Sequence, residues 1–99
     1  MTPASLNTVP EHIRQARIEL AAALEPLGEA TRIEVMTAAC IETGGSIIPV
    51  GRTNWGPHYA SVTCLDIHHD GDSLEEAIQF WIKAVYRTET DLARLEDAA

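Results

Sequence analysis

Apolar residues recur along this chain with two different periods, and the change of period divides it into elements. Ile13, Ala16, Leu20, Ala23, Leu24 and Leu27 fall on one helical face, with Arg14, Arg17 and Glu19 on others. Thr8 can cap this helix, Glu11 can complete a capping box, and Pro10 tolerates the first turn. Pro26 disfavours helical geometry at Glu25, and Gly28 can close the turn. The first helix is therefore predicted over about 9–25.

Between residues 29 and 43 two patterns overlap. Ala30, Ile33, Met36, Ala39 and Cys40 fit a helical face, while Ile33, Val35 and Thr37 alternate as in a strand. The alanine, methionine and glutamate content favours a helix, with Gly44-Gly45 as its stop signal. Ser46 to Val50 then reads as a short strand. Pro49 lacks an amide donor, so that strand belongs at a sheet edge or ends at a bulge. Gly51 to Pro57 reads as a loop. His58 to Ile67 reads as a longer strand whose alternation changes phase near Cys64, the mark of a bulge or of two covered faces. His69 to Asp72 reads as a turn.

Ser73-Leu74-Glu75-Glu76 is a second capping box. Behind it, Leu74, Ile78, Trp81, Val85, Thr88, Leu92 and Leu95 alternate steps of four and three, the cleanest periodicity in the chain. Ala77, Phe80, Ile82 and Ala84 widen the stripe in the first half, which suits a core. The second half is a narrow seam suited to one more helix, from this chain or a second copy. The predicted fold is α+β: two N-terminal helices, a short antiparallel β-hairpin with room for a third strand, and a long C-terminal amphipathic helix. Residues 1–8 form a flexible segment and residues 9–99 a single domain. A lone hairpin is marginal, so it must lie on helices, gain a strand, or pair with another chain, and a homodimer is one candidate.

Composition supports one globular domain, with 45% apolar and 22% charged residues among 99. Fifteen carboxylates against seven Lys and Arg give a net charge of −8. That charge repels phosphate backbones and anionic membranes and attracts basic partners. It is uneven: residues 1–45 carry −3, residues 46–69 are neutral, and residues 70–99 carry −5. The cation sets on the helices are interrupted by carboxylates, and Arg32 would be the sole base of a second helix in a helix-turn-helix, so no direct nucleic-acid contact is expected. Cys40 and Cys64, without a CxxC or an export signal, read as reduced core thiols of a cytoplasmic protein. No apolar run is long enough to span a bilayer.

Two constellations could carry chemistry. His58, Asp66, His68 and Asp70 offer imidazole and carboxylate ligands to a divalent metal, although their spacing fits no zinc module or EF-hand. Arg52, Trp55 and Tyr59 lie in or beside a polar loop, and these residue types dominate interface hot spots. Glu75 and Glu76 on the acidic last helix could steer a partner, and Leu92 and Leu95 could anchor it. No motif marks a nucleophile or calls for a cofactor. In size, charge and lack of a catalytic motif the chain looks like small accessory proteins of phages and mobile elements, among them anti-CRISPR inhibitors of host defence. That likeness is of kind and covers no motif. The expected function is a non-enzymatic protein-binding module, such as an inhibitor of a nucleic-acid-binding complex. Its alternatives are a metal-binding protein or metal-dependent enzyme using the His/Asp cluster, and a structural homo-oligomer subunit.

Overall fold

A computed structural model describes residues 9–51, 56 and 58–98. The elements are α1 (Glu11–Leu24), α2 (Glu29–Thr43), β1 (Ser46–Ile48), β2 (Ala60–Cys64), β3 (Ile67–Gly71) and α3 (Leu74–Ala98). The strands form one antiparallel sheet in the order β1-β2-β3. Helices cover one face of it. The third strand that the sequence left room for is present.

Each helix boundary has a local cause. The Pro10 carbonyl accepts the amides of Ile13 and Arg14 at 2.9 and 3.1 Å and opens α1. Thr8, the expected cap, lies outside the described residues. Helix α2 stops at Gly44, whose φ of 77° is left-handed, and the Gly45 amide closes on the Cys40 carbonyl at 2.8 Å. Helix α3 starts at the expected box: Ser73 Oγ accepts the Glu76 amide at 3.1 Å, and Glu76 Oε1 accepts the Asp72 amide at 2.8 Å.

The long strand expected over 58–67 is two strands. The chain reverses at Leu65 and Asp66, both left-handed with φ of 50° and 67°. Cys64 pairs with Ile67 across this two-residue turn, the geometry that matches strand twist. Left-handed geometry costs a non-glycine residue on the order of 1 kcal/mol. Two donors from the helices oppose that cost. Arg17 Nε donates to the Leu65 carbonyl at 2.8 Å, and Trp81 Nε1 donates to the Cys64 carbonyl at 3.1 Å. Residues 69–71, expected as a turn, are the second half of β3, and the chain turns at Asp72 and Ser73 instead. Gly71 permits this, because a Cβ there would stand 2.5 Å from the Ala77 amide nitrogen. The strand thus rides directly on the first turn of α3.

The core is built from Trp81, Leu24, Met36, Ile78, Val62 and Val85 with the two thiols, all fully buried. Phe80 and Ala84 do not join it; Phe80 is 38% exposed on another side of α3. Arg32 is the most connected buried polar residue. Its Nε donates to the Leu24 carbonyl at 2.9 Å, and its Nη2 donates to the carbonyls of Glu25, at 3.0 Å, and Leu27. Its Nη1 pairs with Glu75 on α3. One side chain of α2 therefore caps the end of α1 and ties it to the start of α3. No described helix is long and apolar enough to cross a membrane.

Cys40 and Cys64 are both free and buried, and they meet between α2 and β2. Thr43 Oγ1 stands 3.6 Å from Cys64 Sγ. Burial, and then the adjoining Cys64 thiol, push the Cys40 pKa up to about 12. The Cys40 thiol is therefore no nucleophile at neutral pH, and Cys64 is sealed from solvent.

Two outcomes follow from these contacts. Arg32→Met leaves Glu75 without its cation and the carbonyls of Glu25 and Leu27 without this donor, while Leu24 keeps the Leu27 amide. It should cost about 3 kcal/mol in urea unfolding, as breaking a buried pair does. Arg32→Lys should recover only part, since the ammonium lacks the fork. The Cys40 thiol is harder to ionise folded than unfolded, so its contribution is complete below the unfolded pKa near 9 and is lost as pH rises toward 12. Stability should fall by up to about 1.4 kcal/mol per pH unit across that window. Cys40→Ala should flatten the slope, measured by urea melts at stepped pH.

Candidate functional site

The face of the sheet away from the helices is set by register. Ser46 stands opposite Thr63, and Thr63 opposite His68; Ile48 stands opposite Ser61, and Ser61 opposite Asp70. Side chains two apart on a strand share a face, so Thr63, His68 and Asp70 come together here. Thr63 Oγ1 lies 2.7 Å from His68 Nδ1, and His68 Nε2 lies 2.9 Å from Asp70 Oδ1. An ionised carboxylate only accepts, so Nε2 carries the hydrogen given to Asp70. In the neutral ring Nδ1 then accepts from the Thr63 hydroxyl.

Hydroxyl, imidazole and carboxylate are thus in the order of a hydrolase triad. The surroundings do not match one. The His68 and Asp70 side chains are 54% and 48% exposed, so nothing keeps water from the relay. Thr63 lies within a regular strand rather than on a turn that would present its oxygen to a substrate. The chain of bonds ties β2 to β3 across the open face. Thr63 escaped the sequence reading because its partnership with His68 exists only if the chain reverses at Leu65-Asp66.

The expected metal ligands separate into a pair and two single residues. His68 and Asp70 meet. Asp66 is exposed in the β2–β3 turn, and His58 is exposed ahead of β2. Among the described residues no three His, Cys, Asp or Glu side chains are grouped to hold a metal ion.

The expected interaction residues also divide. Arg52 and Trp55 lie outside the described residues. Tyr59 is exposed just before β2, and Ile48 and Val50 are exposed on or just after edge strand β1. Glu75 and Glu76 are engaged inside the fold, the first with Arg32 and the second at the α3 cap. Leu92 is half-buried and Leu95 is 57% exposed near the end of α3.

That end stands clear of the rest. Arg14 grips Glu89 with two bonds of 2.9 and 3.3 Å, and Tyr86 Oη donates to Glu25 Oε1 at 2.7 Å. Arg14 in α1 and Glu25 at its end thus reach Glu89 and Tyr86, three residues apart on α3, so the two elements meet over a short stretch of α3. Past Glu89, α3 runs on beyond that stretch, and residues 93–97 are all exposed. Asp91, Arg94, Glu96 and Asp97 flank Leu95 in the sequence there, and no base lies in the last turn. Carboxylates at a helix C-terminus oppose its dipole, at about 0.3–1 kcal/mol each. Comparison of the chain with protein-family models, curated proteins and solved structures yields no match.

Both ring nitrogens of His68 are occupied within the sheet. Excess Zn²⁺, Mn²⁺ or Ni²⁺ should therefore leave the melting temperature of untagged protein unchanged. A rise that His68→Gln removes would establish a metal site instead.

Proposed function

We propose that this chain is a non-enzymatic protein-binding module that takes a partner with a basic surface through the projecting end of α3. The observation that supports this most directly is the last two turns of that helix. They expose Leu95, leave Leu92 half-covered, and flank the two with Asp91, Glu96 and Asp97, with Arg94 between them. Glu96 and Asp97 stand in the last turn and work against the helix dipole, and Glu96 also attracts Arg14 of α1. A basic surface would neutralise them, and the two leucines would seat in its apolar recesses. A second copy of the chain suits this seam less well, because its own carboxylates would face these. Competition for the basic channel of a nucleic-acid-binding complex, as by an anti-CRISPR-type inhibitor, is the specific form of the reading that the −8 charge favours.

The double variant Glu96→Lys/Asp97→Lys separates binding from folding, because lysines suit a helix C-terminus. Its melting temperature should equal or exceed that of the parent. The immobilised parent should capture a partner from source-cell lysate at low salt and lose it at high salt. The variant, and Leu95→Arg, should capture far less of the same protein. Equal capture by parent and variants would sink the proposal, and a dimer in light scattering that Leu95→Arg dissociates would reassign the seam to a second copy.

A further inference from the structure

Phe80, left out of the core, forms part of another surface. With Lys83, Ala84 and Arg87 of α3 and His69 of β3 it lines an open cleft of about 220 Å³. The Lys83 Nζ stands 5.8 Å from the Phe80 ring centroid. The His69 ring meets the same phenyl at 6.3 Å, tilted by 49°. Three nitrogen-bearing side chains and one aromatic ring thus line the cleft, and no carboxylate lines it among the described residues.

The charge placed here is unusual for this molecule. Arg14 is held by Glu89, Arg17 by the Leu65 carbonyl, and Arg32 by Glu75 and three carbonyls. Among the described residues Lys83 and Arg87 enter no ion pair. They lie one turn apart, a like-charge spacing that weakens a helix. Glu89, two residues past Arg87, is held by Arg14; the next acids along the helix are Asp91, a turn past Arg87, and Glu76, a turn before Phe80 and already engaged at the helix cap. The net charge of −8 acts from further away, and at physiological salt it is screened beyond about 8 Å. Local attraction for an anion therefore survives.

The space also has a size. A cavity of about 150 Å³ accepts benzene, so this one has room for a single six-membered ring and a small anionic group. We infer that the cleft binds a phosphate monoester carried on one flat ring. Lys83 and Arg87 hold the phosphate, Arg87 through its planar fork, and the ring lies against Phe80 beside His69. This site is separate from the end of α3, and either could fail without the other.

Amide chemical shifts of the whole chain report binding directly. Phenyl phosphate at millimolar concentration should shift the signals of His69, Phe80, Lys83 and Arg87. It should bind about tenfold more tightly than inorganic phosphate, the scale of stacking on an aromatic side chain. Uridine monophosphate, compared with phenyl phosphate, tells whether a nucleotide or a simple aryl phosphate fits better, and tighter binding of either supports the site. Lys83→Gln and Arg87→Gln, both at exposed helix positions, should keep the melting temperature and each weaken phenyl phosphate by about tenfold. No localised shift with phenyl phosphate, or unchanged affinity in the double variant, would overturn the inference. Equal affinity for phosphate and phenyl phosphate would overturn the role of the ring.

Discussion

A guanidinium has five N–H donors and no means of shedding its charge, so an interior that accepts one must supply acceptors on several sides. At the α1–α2 corner the chain does so for Arg32. The chain leaving α1 turns at Pro26 and Leu27 and directs the carbonyls of Leu24, Glu25 and Leu27 at Arg32, the first of them shared with the Leu27 amide. Glu75 supplies the counter-charge from the first turn of α3. The three helices are thus joined through one side chain, and the sheet is laid on the platform they form. Removing the charge would leave both the carboxylate and the helix end unsatisfied at once.

The same device recurs in weaker form at the other end of the sheet. The left-handed residues Leu65 and Asp66 lie where Arg17 and Trp81 meet the carbonyls of Leu65 and Cys64. This explains why the helices and α3's cap were legible in the sequence and this turn was not. Helix signals are local: the Ser73–Glu76 box, the Gly44 stop and the heptad-like steps of α3 all lie within a few residues of what they specify. The β2–β3 turn carries none of the Asn-Gly chemistry that announces such turns. Its support comes from residues 48 positions earlier and 17 later in the chain. The only local trace was the slip in apolar phase at Cys64, which a reversal explains better than a bulge.

Misplacing that turn hid most of what the open sheet face contains. With one strand from 58 to 67, Thr63 and His68 lie about 16 Å apart at strand rise. With two strands they are opposite neighbours. His68 and Asp70 were legible as a pair from spacing alone, since alternate strand residues share a face. Leu92 and Leu95 were legible from periodicity, but their exposure was not, because it depends on where α1 meets α3. Phe80 shows the converse limit. Its place in a widened apolar stripe suggested core, and the sheet reaches α3 on a neighbouring side instead.

Charge along α3 separates what the fold needs from what it does not. At the start, Glu75 and Glu76 complement the helix dipole, and each also makes a defined contact. In the middle, Lys83 and Arg87 repel each other across one turn. At the end, Glu96 and Asp97 oppose the dipole with no base in the last turn. Exchanging the middle and end charges would suit an isolated helix better on both counts. Where α3 leaves the core, Glu96 and Asp97 stand against its dipole, while Arg94, three residues from both Asp91 and Asp97, and the attraction of Glu96 for Arg14 of α1 work the other way.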